Sequence, residues 1–173
     1  MIYFIRHGET QANIDQIFSG PDEQLTENGK LQAKLAGEKI KSDGIIFDRI
    51  ISSTYERAVD TAKIITQVIG FNESDIQYDH RLIEWNAGDL IGSKEASVSF
   101  EQVMATKNIE TPEVLYRRVL AALREIELLP GNTLIIGHSG VGCMIQVIKK
   151  KLTTNDFYSL EPYANCQLIL LEQ

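Results

Sequence analysis

Three short apolar runs, "MIYFI", "FDRIISS" and "NTLIIGHSG", are rich in β-branched residues, stop at small or polar residues, and are separated by segments with helical spacing. Runs of this kind, without the polar alternation of a half-exposed strand, read as strands covered on both faces. Parallel strands need long crossovers, and the intervening segments supply them. From Thr26, "TENGKLQAKLAGEKIKSDG" sets Leu31 and Leu35 four apart and closes near Gly44. "STYERAVDTAKIITQVIG" opens on a Ser53-x-x-Glu56 capping box, carries Ala58, Ala62, Ile65 and Ile69 on one stripe, and stops at Gly70. "TPEVLYRRVLAALREIELLPG" places Leu115, Val119, Ala122 and Ile126 on one face with Pro112 in the first turn, and the segment after "GHSG" reads as helix to about Leu152. "NCQLILLEQ" reads as a final strand. Strands alternating with helices predict an α/β protein, a three-layer α/β/α sandwich with a mostly parallel central sheet.

A chain of 173 residues is long enough for one domain with a sizeable core. No repeat, low-complexity tract or Pro/Gly-rich linker marks a second, so residues 1–173 are expected to form a single domain. The least patterned internal stretch, near 93–110, is expected to be a short helical lid. The net charge of −7 argues against a general nucleic-acid or anionic-membrane surface. No apolar run approaches the roughly 20 residues a membrane span needs, and "MIYFIRHG" lacks the features of a signal peptide, so the cytoplasm is the expected location. Cys143 and Cys166 sit in apolar stretches and read as inert core thiols. His7, His80 and His138 have no ligand spacing, so neither a metal nor another cofactor is expected.

In an open parallel sheet, ligands bind beyond the carboxyl ends of the strands. Arg6 and His7 end the first strand, His138 ends "TLIIGHSG", and Arg57 lies in the first helical turn after "RIISS". A cation there opposes the helix macrodipole by roughly 0.3–1 kcal/mol, so another interaction must hold it. Two Arg and two His converging on one edge of an acidic protein predict an anion site. Arg118, between Leu115 and Ala122, reads as a snorkelling structural side chain, and His80 has no companion signal. "GHSGVG" approaches the nucleophile elbow G-x-S-x-G but has Val141 where Gly is required, and no His follows His138 to complete a triad.

The pattern resembles the histidine phosphatase superfamily, the phosphoglycerate mutase-like proteins. "RHGETQAN" matches the family's opening R-H-G-E-[ST]-x-x-N, followed by "FSG"; "LTENGKLQA", "ISSTYERAVDTA", "LIEWNAGDLIG" and "IIGHSGV" match its later blocks in order, from Ile2 to about Gly142. The resemblance implies a phosphoglycerate mutase-like fold and a metal-independent phosphatase acting on a phosphomonoester through a phosphohistidine. It casts His7 as the nucleophile, Glu84 as the proton donor, and Arg6, Arg57 and His138 as the phosphate clamp. Asn13 and the Ser19-Gly20 backbone would line the pocket. Gly8 would allow a backbone carbonyl to fix the tautomer of His7. Glu9 reads as supporting the turn. The family's true mutases carry long insertions with a paired Arg motif after the acid block, and "SKEASVSFEQVMATKN" is too short and lacks it, which favours hydrolysis over phosphoglycerate mutase-type transfer or a non-catalytic phospho-ligand sensor. The expected partner is a small phosphorylated metabolite, with a phosphoprotein as the alternative. Lys94 and Lys107 read as solvated rather than as a second anion site.

Overall fold

The computed structural model describes residues 1–171; the last two residues of the expected final strand, Glu172 and Gln173, lie outside them. The described residues form a five-stranded sheet of β1 (Ile2–Arg6), β2 (Arg49–Ser52), β3 (Gln77–Tyr78), β4 (Thr133–Gly137) and β5 (Ile169–Leu171), in the order β3-β2-β4-β1-β5. The first four run parallel, and β5 pairs antiparallel with β1. The two-residue β3 is the strand that the sequence did not announce, because both its residues are exposed and it has no apolar run to read.

Alternation along the strands separates two apolar layers. Tyr3, Ile5, Ile50, Leu134 and Ile136 face α2 (Glu27–Ser42) and α3 (Glu56–Ile69), while Phe4, Ile51 and Ile135 face α5 (Pro112–Glu127) and α6 (Ser139–Lys149). The result is the three-layer α/β/α sandwich with a largely parallel sheet. The face of α5 is the predicted one: Leu115, Val119, Ala122 and Ile126 are buried, and Thr111 caps the N-terminus ahead of Pro112. Helix α2 is present, and its apolar spacing does not mark its inner face. Its buried stripe is Gly29, Ala33, Ala36, Gly37 and Ile40, whereas Leu31 and Leu35 are about half exposed, at 51% and 52%. Small residues let α2 approach α3 closely: a Cβ at Gly37 would lie 2.8 Å from Cβ of Val68. Side-chain size rather than apolar spacing chose the inner face.

Two short helices complete the frame, α1 (Gln11–Asp15) after β1 and α4 (Phe100–Ala105) in the expected lid segment, where a 3-10 turn at Glu95–Ser97 precedes α4. Among the described residues no helix is long and apolar enough to cross a membrane.

Candidate active site

Register brings the chemistry together. Arg6 is paired with Gly137 and Ser52 with Ile136, so His7, Ser53 and His138 leave the sheet side by side. The backbone N–H of His7 still donates to Gly137 O (2.9 Å) and that of Ser53 to Ile136 O (2.9 Å), which extends the ladder to the site itself.

The imidazole of His7 is 2% exposed. Its Nδ1 lies 2.7 Å from the carbonyl oxygen of Gly8, and since a carbonyl only accepts, Nδ1 carries the proton. At the other nitrogen, Arg57 Nε–H donates to Nε2 (3.1 Å), which requires a lone pair there. The two contacts specify one neutral tautomer. Burial, then the Arg57 guanidinium, hold His7 well below the usual histidine pKa. The carbonyl is itself held, because Gly8 N–H donates to Thr61 Oγ1 (3.1 Å) and the backbones of Gly8 and Gly29 pack so closely that a Cβ on either would overlap the other turn.

Arg57 is fully buried in the first turn of α3. Nη1 donates to Gly20 O (2.8 Å) and Nη2 approaches Ser19 Oγ (3.5 Å), while the guanidinium carbon lies 5.2 Å from the Tyr55 ring centroid. These contacts, with the bond to His7, account for a cation at the disfavoured helix end. Arg6 donates through Nη1 to Tyr163 O (3.2 Å). His138, fully buried at the N-cap of α6, has its Nε2 2.7 Å from Ser53 Oγ, and its ring centroid lies 5.1 Å from that of His7. Burial, then Arg57 and His7, push its pKa well down. Among the described residues four buried side-chain polar atoms lack a partner, and two of them, Arg6 Nε and His138 Nδ1, belong to this site. Both suit an anion that accepts hydrogen bonds.

The predicted capping box at Ser53 is corrected here. Tyr55 occupies the N-cap of α3 and contributes no side-chain bond. The hydroxyl of Ser53 is already engaged: it accepts from Tyr55 N–H (3.2 Å) and meets His138 Nε2.

Glu84 reaches the cleft from the irregular segment after β3. Its Oε1 accepts from Trp85 N–H and Gly140 N–H, both at 2.8 Å, leaving Oε2 outside those bonds. Gly140 is required for this approach, since a Cβ there would come within 2.7 Å of both Glu84 Oε1 and Trp85 Cβ. Arg118 does not snorkel. All five of its N–H groups point inward, two to the Glu110 carboxylate and three to the carbonyls of Arg81, Ile83 and Glu84. A segment without a ladder needs donors for its carbonyls, and Arg118 provides them.

Arg6, His7, Asn13, Ser19, Glu84 and Ser139 line a cleft of about 250 Å³. Gly20, Arg57 and His138 are not on its wall; Gly20 O accepts from Arg57, and Arg57 and His138 stand against the His7 ring. Asn13 Oδ1 accepts from Thr10 N–H (3.1 Å) and Asn165 Nδ2 (3.3 Å), and Asn165 also donates to His7 O (2.7 Å). Asn165 and Glu95, which also line the cleft, carried no sequence signal. Glu95 arrives because Gln16–Phe18 pairs with Gly92–Glu95, through Gly92 N–H to Phe18 O (2.9 Å), Phe18 N–H to Ser93 O (3.0 Å) and Glu95 N–H to Gln16 O (2.9 Å). Glu9 lies elsewhere, accepting from Thr26 Oγ1 (2.8 Å) and Asn28 Nδ2 (3.1 Å) at the start of α2. Among the described residues no group of three or more His, Cys, Asp or Glu could hold a metal. Burial raises the thiol of Cys143 to about 11 and that of Cys166 to about 12, so neither is a thiolate near neutrality.

The model of the histidine phosphatase superfamily (branch 1) matches residues 2–173. A protein of Salmonella arizonae described as "Probable phosphoglycerate mutase GpmB" is 34% identical over 85% of this chain and 74% of its own length. Among solved structures, Bacillus stearothermophilus YhfR superposes with a TM-score of 0.81 at 24% identity, covering 96% of this chain and 88% of its own. A mycobacterial glucosyl-3-phosphoglycerate phosphatase complexed with VO3 gives 0.79 at 23% identity (96% and 88%), and the alpha-ribazole phosphatase of Shigella flexneri 0.77 at 24% (96% and 87%).

Proposed function

This chain belongs to the histidine phosphatase superfamily, and from that premise we propose that it is a phosphatase that hydrolyses a phosphomonoester through a phosphohistidine at His7. The observation that carries the reading is the His7 ring itself, neutral, with Nδ1–H tied to Gly8 O and a lone pair on Nε2 among Arg6, Arg57 and His138. An imidazole in this state attacks phosphorus without first losing a proton. The phosphoryl group spreads charge over three equatorial oxygens, and the two guanidiniums and His138 Nδ1–H are the donors for them. A phosphoryl oxygen takes over the Arg57 Nε–H that Nε2 accepts in the free protein.

In the first half-reaction the Nε2–P bond forms, the P–O bond to the alcohol breaks, and Glu84 gives its proton to the departing alkoxide. In the second, the Glu84 carboxylate takes a proton from water, the resulting hydroxide oxygen bonds to phosphorus, and the N–P bond breaks. Phosphate and alcohol have left, Glu84 is again protonated, and the Nδ1 proton has stayed on the ring throughout. Arg6 and Arg57 supply the charge a metal would bring and His138 Nδ1–H adds a neutral donor, so the reaction needs none.

Hydrolysis fits this cleft better than phosphoglycerate mutase-type transfer. A phosphoglycerate brings a carboxylate and, in the doubly phosphorylated intermediate, a second phosphate, whereas the walls beyond the clamp carry Glu84 and Glu95. Segment 93–110 holds one 3-10 turn and the six-residue α4, and of its residues Glu95 alone lines the cleft. The two buried free cysteines fit a reducing cytoplasm. The test is phosphate release from p-nitrophenyl phosphate in EDTA, beside 3-phosphoglycerate followed by NMR. Metal-free turnover with no interconversion of phosphoglycerates is the expected result. Interconversion would establish a mutase, binding without turnover a sensor, and activity restored only by a divalent metal would overturn the mechanism.

A further inference from the structure

Beyond the phosphate site, a second cleft of about 210 Å³ opens on the Glu84 side, and the two share Ser19, Glu84, Glu95, Ser139 and Pro162 as common wall. In the proposed mechanism Glu84 protonates the leaving oxygen, so whatever is esterified to the phosphate must extend past Glu84 into this space. Its wall is apolar and largely aromatic: Phe18, Trp85, Phe157 and Leu160, with Cys143 at the floor. The rings support one another, Phe18–Trp85 edge-on with centroids 6.1 Å apart and Trp85–Phe157 tilted with centroids 5.7 Å apart. Trp85 is fixed at its polar end, its Nε1–H donating to Glu110 O (2.7 Å), and Phe18 is held by the pairing of Gln16–Phe18 with Gly92–Glu95. The pocket is thus built before a ligand arrives, which limits the cost of ordering it on binding.

Charge points the same way. Among the described residues that line the second cleft there is no Lys or Arg; the acidic side chains are Glu84 and Glu95. Lys94, whose neighbour Glu95 faces the cleft, is exposed and not on its wall, and neither is Lys107. A carboxylate or second phosphate on the alcohol portion would face Glu95, and Glu84 once it has given up its proton, with no cationic side chain on this wall. An uncharged ring would bury its surface against Phe18, Trp85 and Leu160.

We infer that the substrate is a phosphate monoester of an apolar, ring-bearing alcohol with no anionic group other than the phosphate being removed. This rests on the phosphatase reading, and the test separates the two. The full chain is assayed for phosphate release with 2-phenylethyl phosphate, glycerol 3-phosphate and 3-phosphoglycerate, three alkyl esters whose leaving groups all need a proton, so that differences report recognition rather than leaving-group chemistry. The expected order of kcat/KM is phenylethyl above glycerol above phosphoglycerate. The first exceeds the last by about 30-fold or more, within the range that apolar pockets and like-charge rejection provide. Phe18→Ala should lower the phenylethyl value by about 10-fold and the glycerol value by less than about 3-fold. Glu95→Gln should raise the phosphoglycerate value several-fold relative to phenylethyl. Phosphoglycerate equal to or better than phenylethyl phosphate, or ratios that neither variant moves, would overturn the inference while leaving the phosphatase intact. Failure of all three esters together with p-nitrophenyl phosphate would remove both.

Discussion

Replacing Ser53 by Ala tests a contact between two fully buried groups, the hydroxyl and His138 Nε2 at 2.7 Å. Because Ser53 Oγ already accepts from Tyr55 N–H, its own proton is best spent on Nε2, which puts the ring proton on Nδ1, the atom proposed to meet a phosphoryl oxygen. The alanine leaves Nε2 buried without a partner, a loss of about 1–3 kcal/mol. At roughly 2–4 °C per kcal/mol for a chain of this size, Tm should fall by about 2–12 °C. The catalytic loss has a ceiling, the removal of one whole oxyanion donor, about 100- to 1,000-fold in kcat. Since the variant removes the bias and not the ring, kcat on p-nitrophenyl phosphate should drop by about 10- to 100-fold, with a smaller change in KM. The assay is a double-mutant cycle with His138→Ala. If Ser53 works through His138, the Ser53→Ala substitution costs less than about 3-fold once the imidazole is gone. An equal loss in both backgrounds, or no loss beside intact His138, would refute the tautomer argument.

Glu84→Gln should lose about 100-fold or more in kcat/KM on alkyl phosphates but only a few-fold on p-nitrophenyl phosphate, whose phenolate departs with little help, whereas Arg57→Ala should depress both by similar factors; equal losses for Glu84→Gln would mean that this carboxyl is not the acid. Stability should fall with acid in a definite window. His7 and His138 both have folded pKa values well below the ordinary 6.5, so as pH drops from about 6.5 toward those values the unfolded chain holds protons that the folded chain lacks. The slope contributed is up to about 1.4 kcal/mol per pH unit for each ring. Urea midpoints of His138→Gln between pH 6.5 and 5 should therefore decline less steeply than those of the unaltered chain, and identical slopes would contradict the buried neutral ring.

The parts of this site that were legible in the sequence are those fixed by local pattern. The ends of β1 and β4 and the first turn of α3 follow from apolar runs and helical spacing, and the parallel-sheet rule then brings His7, His138 and Arg57 to one edge. Glu84 entered only through the family resemblance, since nothing around "LIEWNAG" marks a carboxylate that two backbone N–H groups from different segments will hold. What escaped depends on contacts distant in sequence. Ser53 looked like a cap because its spacing to Glu56 fits one, and only the register of β2 against β4 sets it beside His138. Arg118 lay correctly on the inner face of α5, yet whether it snorkels or clamps depends on carbonyls about 35 residues away in sequence. Asn165 reaches the back of His7 from near the chain's end, and Glu95 is delivered by a short pairing with Gln16–Phe18. The inner face of α2 does not follow from the Leu31–Leu35 spacing, because small residues, not leucines, permit its close approach to α3.

The central claim is that phosphorus bonds to one nitrogen, Nε2 of His7. Rapid mixing with labelled substrate, a denaturing quench and mapping of the modified peptide address it directly. The label should be stable in base, labile in acid, confined to the peptide that contains His7, and absent with turnover in His7→Ala of normal fold. Label on His138 or on any other residue, or full turnover by His7→Ala, would contradict it.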